Sequence, residues 1–143
     1  KQYLSPVIDL YNGEIISYTL SLHPNLLMVT SMMKKALKRI GDSHPILHSD
    51  QGWHYQHSHY QKMLRDNGIT QSMSRKGNCL DNAVIENFFG ILKSELLYLH
   101  KFSSIGEFEQ ALKSYIHYYN NDRIKAKLKG MSPVQYRTHH IKI

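Results

Sequence analysis

The chain has 143 residues, a length typical of one domain with a sizeable apolar core, which excludes a small domain held together by disulfides. Eighteen Lys and Arg residues against eleven Asp and Glu residues give a net charge of +7, which favours a polyanionic partner, with nucleic acid first. The one cysteine, Cys79, excludes an internal disulfide and a cysteine zinc site and indicates a reducing, intracellular setting, and no apolar run approaches the roughly 20 residues of a membrane span.

Two runs rich in β-branched and aromatic residues open the chain, Tyr3 to Leu10 and Glu14 to Leu22. The sequence Asn12-Gly13 between them favours the positive φ of a tight turn, so the two runs predict an antiparallel hairpin. Because the chain starts at Lys1 without a methionine, we expect the natural N-terminus to lie upstream.

A helix is predicted next, with Asn25 as its N-cap and Gly41 at its end. Its apolar stripe comprises Leu26, Val29, Met33, Ala36, Leu37 and Ile40. Four cations face away from that stripe: Lys34, Lys35, Lys38 and Arg39.

The middle of the chain predicts a strand, a helix and a second strand. Pro45 to Ser49 is short and apolar, as in a buried central strand, and would deliver Asp50 at its carboxyl end. A helix ending near Gly68 follows, and Ile69 to Met73 could form another strand. The polar, basic segment Ser74 to Leu80 predicts a loop that is poorly ordered without DNA.

Two amphipathic helices come next, and they complete a mixed α/β pattern. The first follows Asp81 as a plausible N-cap and buries Ile85, Phe88, Phe89, Leu92 and Leu96. The second follows the capping box Ser104-x-x-Glu107 and buries Phe108, Ala111, Leu112, Tyr115, Ile116 and Tyr119. A basic tail, 122–143, holds six Lys and Arg residues and one acid, and Ser132 to Gln135 predicts a short helix in it.

Two carboxylates are candidates for chemistry. Asp50, at the end of a strand and before a glycine, would lie at the sheet rim where ligands bind, although the same position also suits a loop-capping Asp. Glu86 lies early in an amphipathic helix at the border of its apolar stripe, where most glutamates are merely solvated. Together they would form an oxygen-rich site suited to Mg²⁺ or Mn²⁺ and to phosphoryl transfer. Lys93, two helical turns after Glu86, would meet a phosphate backbone.

Other polar and aromatic residues carry weaker signals. His54, His57 and His59 lack the spacing of a zinc-binding helix, so a zinc site is not predicted. Tyr118 could stack on a base, whereas Tyr119 lies on an apolar stripe and is better explained as core.

Several short motifs occur in a fixed order. They are His48-Ser49-Asp50-Gln51-Gly52, Ser72-Met73-Ser74-Arg75-Lys76-Gly77-Asn78, Asp81-Asn82-Ala83-x-x-Glu86-x-Phe88-Phe89, Leu92-Lys93-x-Glu95, Tyr118-Tyr119-Asn120-x-x-Arg123 and Leu128-x-Gly130-x-Ser132-Pro133. This series resembles the catalytic core of IS3-family transposases, which are related to retroviral integrases. The 35 residues between Asp50 and Glu86 match that family's interval between its second Asp and its Glu.

The resemblance implies an RNase H-like fold, a mixed sheet flanked by helices, with the catalytic core over 1–121 and the basic tail over 122–143. It implies a site of two Asp and one Glu that binds two Mg²⁺ or Mn²⁺ ions, with Asp50 and Glu86 as two of the ligands. It also implies cleavage and joining of transposon-end and target DNA by a homo-oligomer in the bacterial cytoplasm, at the nucleoid, with no membrane and no small-molecule substrate. The residues expected to contact DNA are Arg75, Lys76, Asn78, Lys93 and Arg123.

The chain departs from the family pattern at the first Asp. That residue belongs to a strand before Tyr3 to Leu10, so we expect the first strand to be missing and the chain as given to be inactive in strand transfer. Asp9 is tempting as a substitute but is better explained as a turn residue. Two other functions stay open: a DNA-binding remnant or fragment without catalysis, and an RNase H-like nuclease.

Overall fold

A computed structural model describes residues 2–50, 52–73 and 83–141. Contacts divide the chain into two units, one of Lys1–Val7 with Ile16–Ala83 and one of Ile8–Ile15 with Val84–Ile143. No helix in the described ranges is both long enough and apolar enough to cross a membrane.

The chain opens with the predicted hairpin. Strands β1 (Tyr3–Ile8) and β2 (Ile15–Ser21) are hydrogen-bonded neighbours, and the connection between them is too short for a parallel crossover, so they run antiparallel. The turn is wider than a two-residue Asn-Gly turn, since the amide of Asp9 donates to the carbonyl of Glu14 at 2.9 Å. Gly13 supplies a φ of 80°, and the Asp9 carboxylate accepts from the Tyr11 amide at 2.9 Å. Asp9 is therefore a turn residue, as predicted.

Helix α1 (Leu26–Ile40) supplies most of the core of the first unit. Asn25 caps it by accepting from the Met28 amide at 3.0 Å, and Gly41 ends it with a φ of 59°, so both predicted ends are confirmed. Ser17 and Thr19 of β2 donate to helix carbonyls at 2.9 and 2.8 Å, which satisfies these buried hydroxyls. The buried apolar cluster comprises Met28, Val29, Met32, Met33, Ala36, Tyr60, Leu64 and Ile69.

A pair of parallel strands follows in the same unit. Strand β3 (Ile46–Ser49) pairs with β4 (Thr70–Met73), in a register that sets Ser49 opposite Met73. Between them lie α2 (Trp53–Gln56), which the sequence did not predict, and the predicted helix α3 (Ser58–Asp66). In the described part of the chain the four strands thus form one antiparallel pair and one parallel pair.

The prediction that residues 45–49 form a buried central strand is wrong. Ile46 is 71% exposed and His48 is exposed as well. The reason is the place of β3 in the sheet. Among the described residues β3 has a strand neighbour on one side only, so its apolar side chains are not covered as they are in a central strand.

The second unit is helical. It contains α4 (Ala83–Leu92), a π-helical turn (Lys93–Leu97), α5 (Ile105–Asn121), a 3₁₀ turn (Ala126–Leu128) and α6 (Pro133–Ile141). Its buried apolar residues are Ile15, Phe88, Leu92, Leu96, Leu112, Tyr115, Ile116, Tyr119 and Leu128. The predicted N-cap Asp81 of α4 lies outside the described residues.

Both predicted caps on the later helices are present. Ser104 accepts from the Glu107 amide at 3.1 Å at the start of α5. At the start of α6, the Ser132 amide donates to the Gln135 side chain at 3.0 Å, and the Gln135 amide donates to the Ser132 hydroxyl at 3.3 Å. This is the reciprocal pattern of a capping box.

Residues 133–137, at the start of α6, pack on the hairpin turn. The Asn12 side chain donates to the carbonyl of Pro133 at 2.9 Å, and Arg137 pairs with the buried Glu14 at 2.9 Å. Residues 8–15 and 133–137 therefore belong to one packed unit, whereas the division into a core and a tail at residue 122 stays a prediction.

Candidate active site

Asp50 stands directly after β3, at the edge of the parallel pair where β3 and β4 both end. The His48 ring and the Ser72 hydroxyl bridge the two strands at 3.0 Å just before this edge. Asp50 is exposed, and one carboxylate oxygen accepts from the Gly52 amide at 2.8 Å. The local turn thus orients the carboxylate, as a loop-capping Asp does, and a ligand-binding role for Asp50 stays a prediction.

Gly52 allows the Asp50 carboxylate and the His54 ring to approach each other. A Cβ atom at Gly52 would lie 3.0 Å from Oδ1 of Asp50 and 3.3 Å from Nε2 of His54. Burial lowers the pKa of His54, and the negative charge of Asp50 opposes that shift. His54 Nδ1 is buried and has no hydrogen-bond partner among the residues that the structure describes.

Glu86 lies in the first turn of α4 and is exposed. Phe88, two residues on and so on nearly the opposite side of the helix, is buried with its ring edge-to-face on Tyr119 at 5.2 Å. This packing on α5 directs the Glu86 side of the helix to solvent.

Lys93 lies seven residues after Glu86, on the same side of the helix, and is also exposed. The helix widens at this residue, since the Tyr98 amide donates to the Lys93 carbonyl five residues earlier, at 2.9 Å. Single π-helical turns are rare and often occur at functional sites. The sequence did not predict this turn.

A charged pair holds the π-helical turn against the end of α5. The Arg123 guanidinium donates to both carboxylate oxygens of Glu95, at 2.7 to 3.1 Å, and the Tyr115 hydroxyl donates to the same carboxylate at 2.8 Å. Hydrogen bonds from Arg123 lower the pKa of Glu95, and those bonds raise the pKa of Arg123. Burial raises the pKa of Tyr115. Arg123, expected to contact DNA, is thus engaged within the protein.

The remaining predicted site residues are distributed as follows. Asp50 belongs to the first unit and Glu86 to the second, so their convergence on one ion stays a prediction. Arg75, Lys76 and Asn78, and with them the predicted loop Ser74 to Leu80, lie outside the described residues. Within the described ranges, no three His, Cys, Asp or Glu residues cluster closely enough to hold a metal ion.

The donor chemistry of the two carboxylates fits a divalent cation. Carboxylate oxygens are the ligands that Mg²⁺ and Mn²⁺ prefer, and both side chains are exposed. The Gly52 amide donates to Oδ1 of Asp50, and this hydrogen bond leaves the carboxylate further acceptor capacity. The expected third carboxylate would complete such a set.

His54 and Glu95 are the residues that sequence reasoning missed. His54 was considered only for zinc, and its place four residues after Asp50, in a short helix entered through Gly52, was the available signal. Glu95 was noted only as part of a motif. Its partner Arg123 is 28 residues away, so local patterns could not pair them.

Two family models match the chain, and both are described as Integrase core domain. One matches residues 1–79 and the other residues 86–141. The chain belongs to the integrase core domain family. The InsK protein of insertion sequence element IS150 from Escherichia coli K12 is 58% identical over 138 residues, which cover 96% of this chain and 49% of InsK. Transposase InsF of insertion sequence IS3A from Escherichia coli K12 is 32% identical over 141 residues, which cover 97% of this chain and 49% of InsF, so the resemblance to IS3-family transposases is confirmed. The chain spans about half the length of these two relatives.

Solved structures of integrase cores share the fold of this family member. The catalytic core domain of BIV integrase superposes with a TM-score of 0.75 at 20% identity, covering 99% of this chain and 90% of that domain. The catalytic core domain of HTLV-2 integrase in complex with magnesium, in a trimeric form, gives 0.71 at 18% identity and covers 90% and 80%. The predicted RNase H-like α/β fold is confirmed.

Proposed function

We propose that this integrase core is the catalytic domain of a transposase that cleaves DNA at transposon ends and joins it to target DNA. The observation that carries the proposal is the exposed Asp50 carboxylate, oriented by the Gly52 amide at the carboxyl edge of a parallel strand pair. Support comes from InsK, which is named a transposase of IS150 and matches 96% of this chain.

Asp50 and Glu86 would hold Mg²⁺ or Mn²⁺, two ions in the complete site, together with a third carboxylate expected upstream of Lys1. When bound, such ions activate a water or a DNA 3′-hydroxyl and stabilise the leaving oxygen. The HTLV-2 integrase core in complex with magnesium, of the same fold, supports this choice of metal.

The other side chains would bind and orient DNA. Lys93 is an exposed point charge on the Glu86 side of α4, suited to a phosphate passing the site. Arg75, Lys76 and Asn78 follow β4, which ends at the same edge as Asp50, and are proposed to contact DNA there. For Arg123 a DNA contact requires that the guanidinium share or leave Glu95.

The partners proposed are transposon-end and target DNA and further copies of this protein. The HTLV-2 integrase core occurs in a trimeric form, which supports assembly of such cores. The location proposed is the bacterial cytoplasm, at the nucleoid, where the DNA substrate would lie; the relative InsK comes from a bacterium.

The test uses a lengthened chain that begins upstream of Lys1 and includes the expected third carboxylate. Glu86→Gln and Asp50→Asn should each abolish Mg²⁺-dependent cleavage and joining of transposon-end DNA while leaving DNA binding nearly unchanged, because phosphate contacts carry the binding. Glu109→Gln, an exposed glutamate on α5, is the matched control and should keep full activity.

Cleavage that survives Glu86→Gln would show that another residue is catalytic. A lengthened chain that binds DNA but never cuts it would favour the DNA-binding remnant, and hydrolysis without joining would favour the nuclease.

A further inference from the structure

The outward face of α1 is strongly cationic. Four cations and no acid lie in its last seven residues, and all four are exposed: Lys34, Lys35, Lys38 and Arg39. Cations in the last turn of a helix are favoured by its dipole, which accounts for Lys38 and Arg39. It does not account for the two lysines that precede the last turn.

The four cations divide into two pairs with different surroundings. Lys35 donates to the carbonyl of Tyr18 at 3.2 Å, and Arg39 donates to the carbonyl of Ile16 at 3.0 Å. These two side chains thus cover backbone acceptors of β2, as charged residues commonly do on strand edges.

Lys34 and Lys38 form the second pair. In the described ranges neither lysine contacts a carboxylate or any other hydrogen-bonding group. Being four residues apart, they lie on one side of the helix about 6 Å apart along its axis, where like charges repel and destabilise the helix. A bound polyanion would remove this repulsion.

We propose that Lys34 and Lys38 bind the phosphate backbone of a DNA segment beyond the one engaged at Asp50 and Glu86. The inference rests on the proposed function for its partner, DNA. The helical rise between the two lysines, about 6 Å, matches about two nucleotides of one strand at about 3.4 Å each. The lysine ammonium is a strongly hydrated point charge that suits phosphate. Because α1 and Asp50 belong to the same unit, one body carries both contacts.

The experiment measures the affinity of the 143-residue chain for a fluorescent DNA duplex as a function of salt. In the double variant Lys34→Gln/Lys38→Gln, the slope of log K against log[salt] should be less negative by about 1.8, since each phosphate contact contributes about −0.9 to it. From about 50 mM to about 200 mM salt, the wild-type chain should then lose about 12-fold more affinity than the variant loses.

Lys62→Gln is the matched control, because this exposed lysine of the same unit is already paired with Asp66 at 2.7 Å. The control should keep the wild-type slope. The double variant should melt close to the wild-type temperature, since Gln is as good a helix former and the loss of the lysine repulsion offsets the loss of the favourable interaction of Lys38 with the helix dipole.

Three results would overturn the inference. If the wild-type chain binds DNA in a salt-dependent way and the double variant has the same slope, Lys34 and Lys38 do not contact DNA. The proposed function is then unaffected. If Lys62→Gln lowers the magnitude of the slope by as much per lysine as the double variant does, DNA affinity depends on net charge and not on this face of α1. A wild-type chain that does not bind DNA removes the proposed function as well.

Discussion

Gly52 is the residue on which access to the Asp50 carboxylate depends. Its backbone, at φ −54° and ψ 145°, is open to any residue, so the turn itself does not require glycine. The space around it does, since a Cβ atom there would lie 3.0 Å from Oδ1 of Asp50. The requirement for glycine is therefore set by the site and not by the fold.

Gly52→Ala should separate stability from activity. Because its φ and ψ suit alanine, the free energy of unfolding should stay unchanged or rise by up to about 1 kcal/mol. The added Cβ would shift the carboxylate by a few tenths of an ångström, so strand transfer by the lengthened chain should fall, by less than the roughly 100-fold that a misplacement of about 1 Å costs. Urea unfolding and a strand-transfer assay measure the two quantities.

Gly90→Ala provides the comparison, because no described residue lies within 4 Å of a Cβ at that position, apart from the backbone of its own helix. It should stabilise α4 and keep activity. A Gly52→Ala chain as active as Gly90→Ala would mean that the Asp50 carboxylate need not keep the observed position.

At the scale of secondary structure, one side chain of α5 bonds Ile15 within the second unit. Asn120 is buried, accepts from the Ile15 amide at 2.8 Å and donates to the Ile15 carbonyl at 3.0 Å. The side-chain amide of Asn120 therefore satisfies both the backbone N–H and the backbone carbonyl of the buried Ile15, 105 positions away.

Asn120→Ala should lower the free energy of unfolding by about 2–4 kcal/mol, because two buried backbone groups lose their partners. The neighbouring Asn121→Ala is the control, since Asn121 bonds the carbonyl of His117 within its own helix. It should cost less than about 1 kcal/mol. Equal losses in chemical denaturation of the two variants would show that Ile15 does not depend on Asn120.

Features that depend on residues close together in the chain, such as helix caps, were predictable from the sequence. The caps at Asn25 and Ser132 depend on side chains that bond amides three residues on, so local patterns suffice. The exposure of β3 and the pair of Glu95 with Arg123 depend on residues far along the chain, which a single sequence does not reveal. Asp50 and Glu86 were singled out from position and chemistry, and it was the family resemblance that assigned them to one site.

Across the whole molecule, the basic charge is used differently from what composition suggests. The tail supplies six of the eighteen cations, yet Arg123 and Arg137 are paired with Glu95 and Glu14. Lys125 lies 4.4 Å from the centroid of the Tyr119 ring, and burial lowers its pKa. Part of the charge assigned to DNA from the sequence thus stabilises the second unit, which leaves the outward face of α1 as a stronger candidate for phosphate.

The assignment of residues 8–15 to the second unit has a consequence for the order of synthesis. These residues leave the ribosome early, but Asn120 follows Ile15 by 105 positions and Arg137 follows Glu14 by 123. At a synthesis rate of roughly 5–20 residues per second, about 5–25 s pass between the synthesis of this turn and that of the residues that pack on it. Ribosome-bound chains that end before residue 120 should therefore be cut at this turn by protease, whereas released chains should resist. Equal resistance in both would mean that the turn closes without the helices that later bury it.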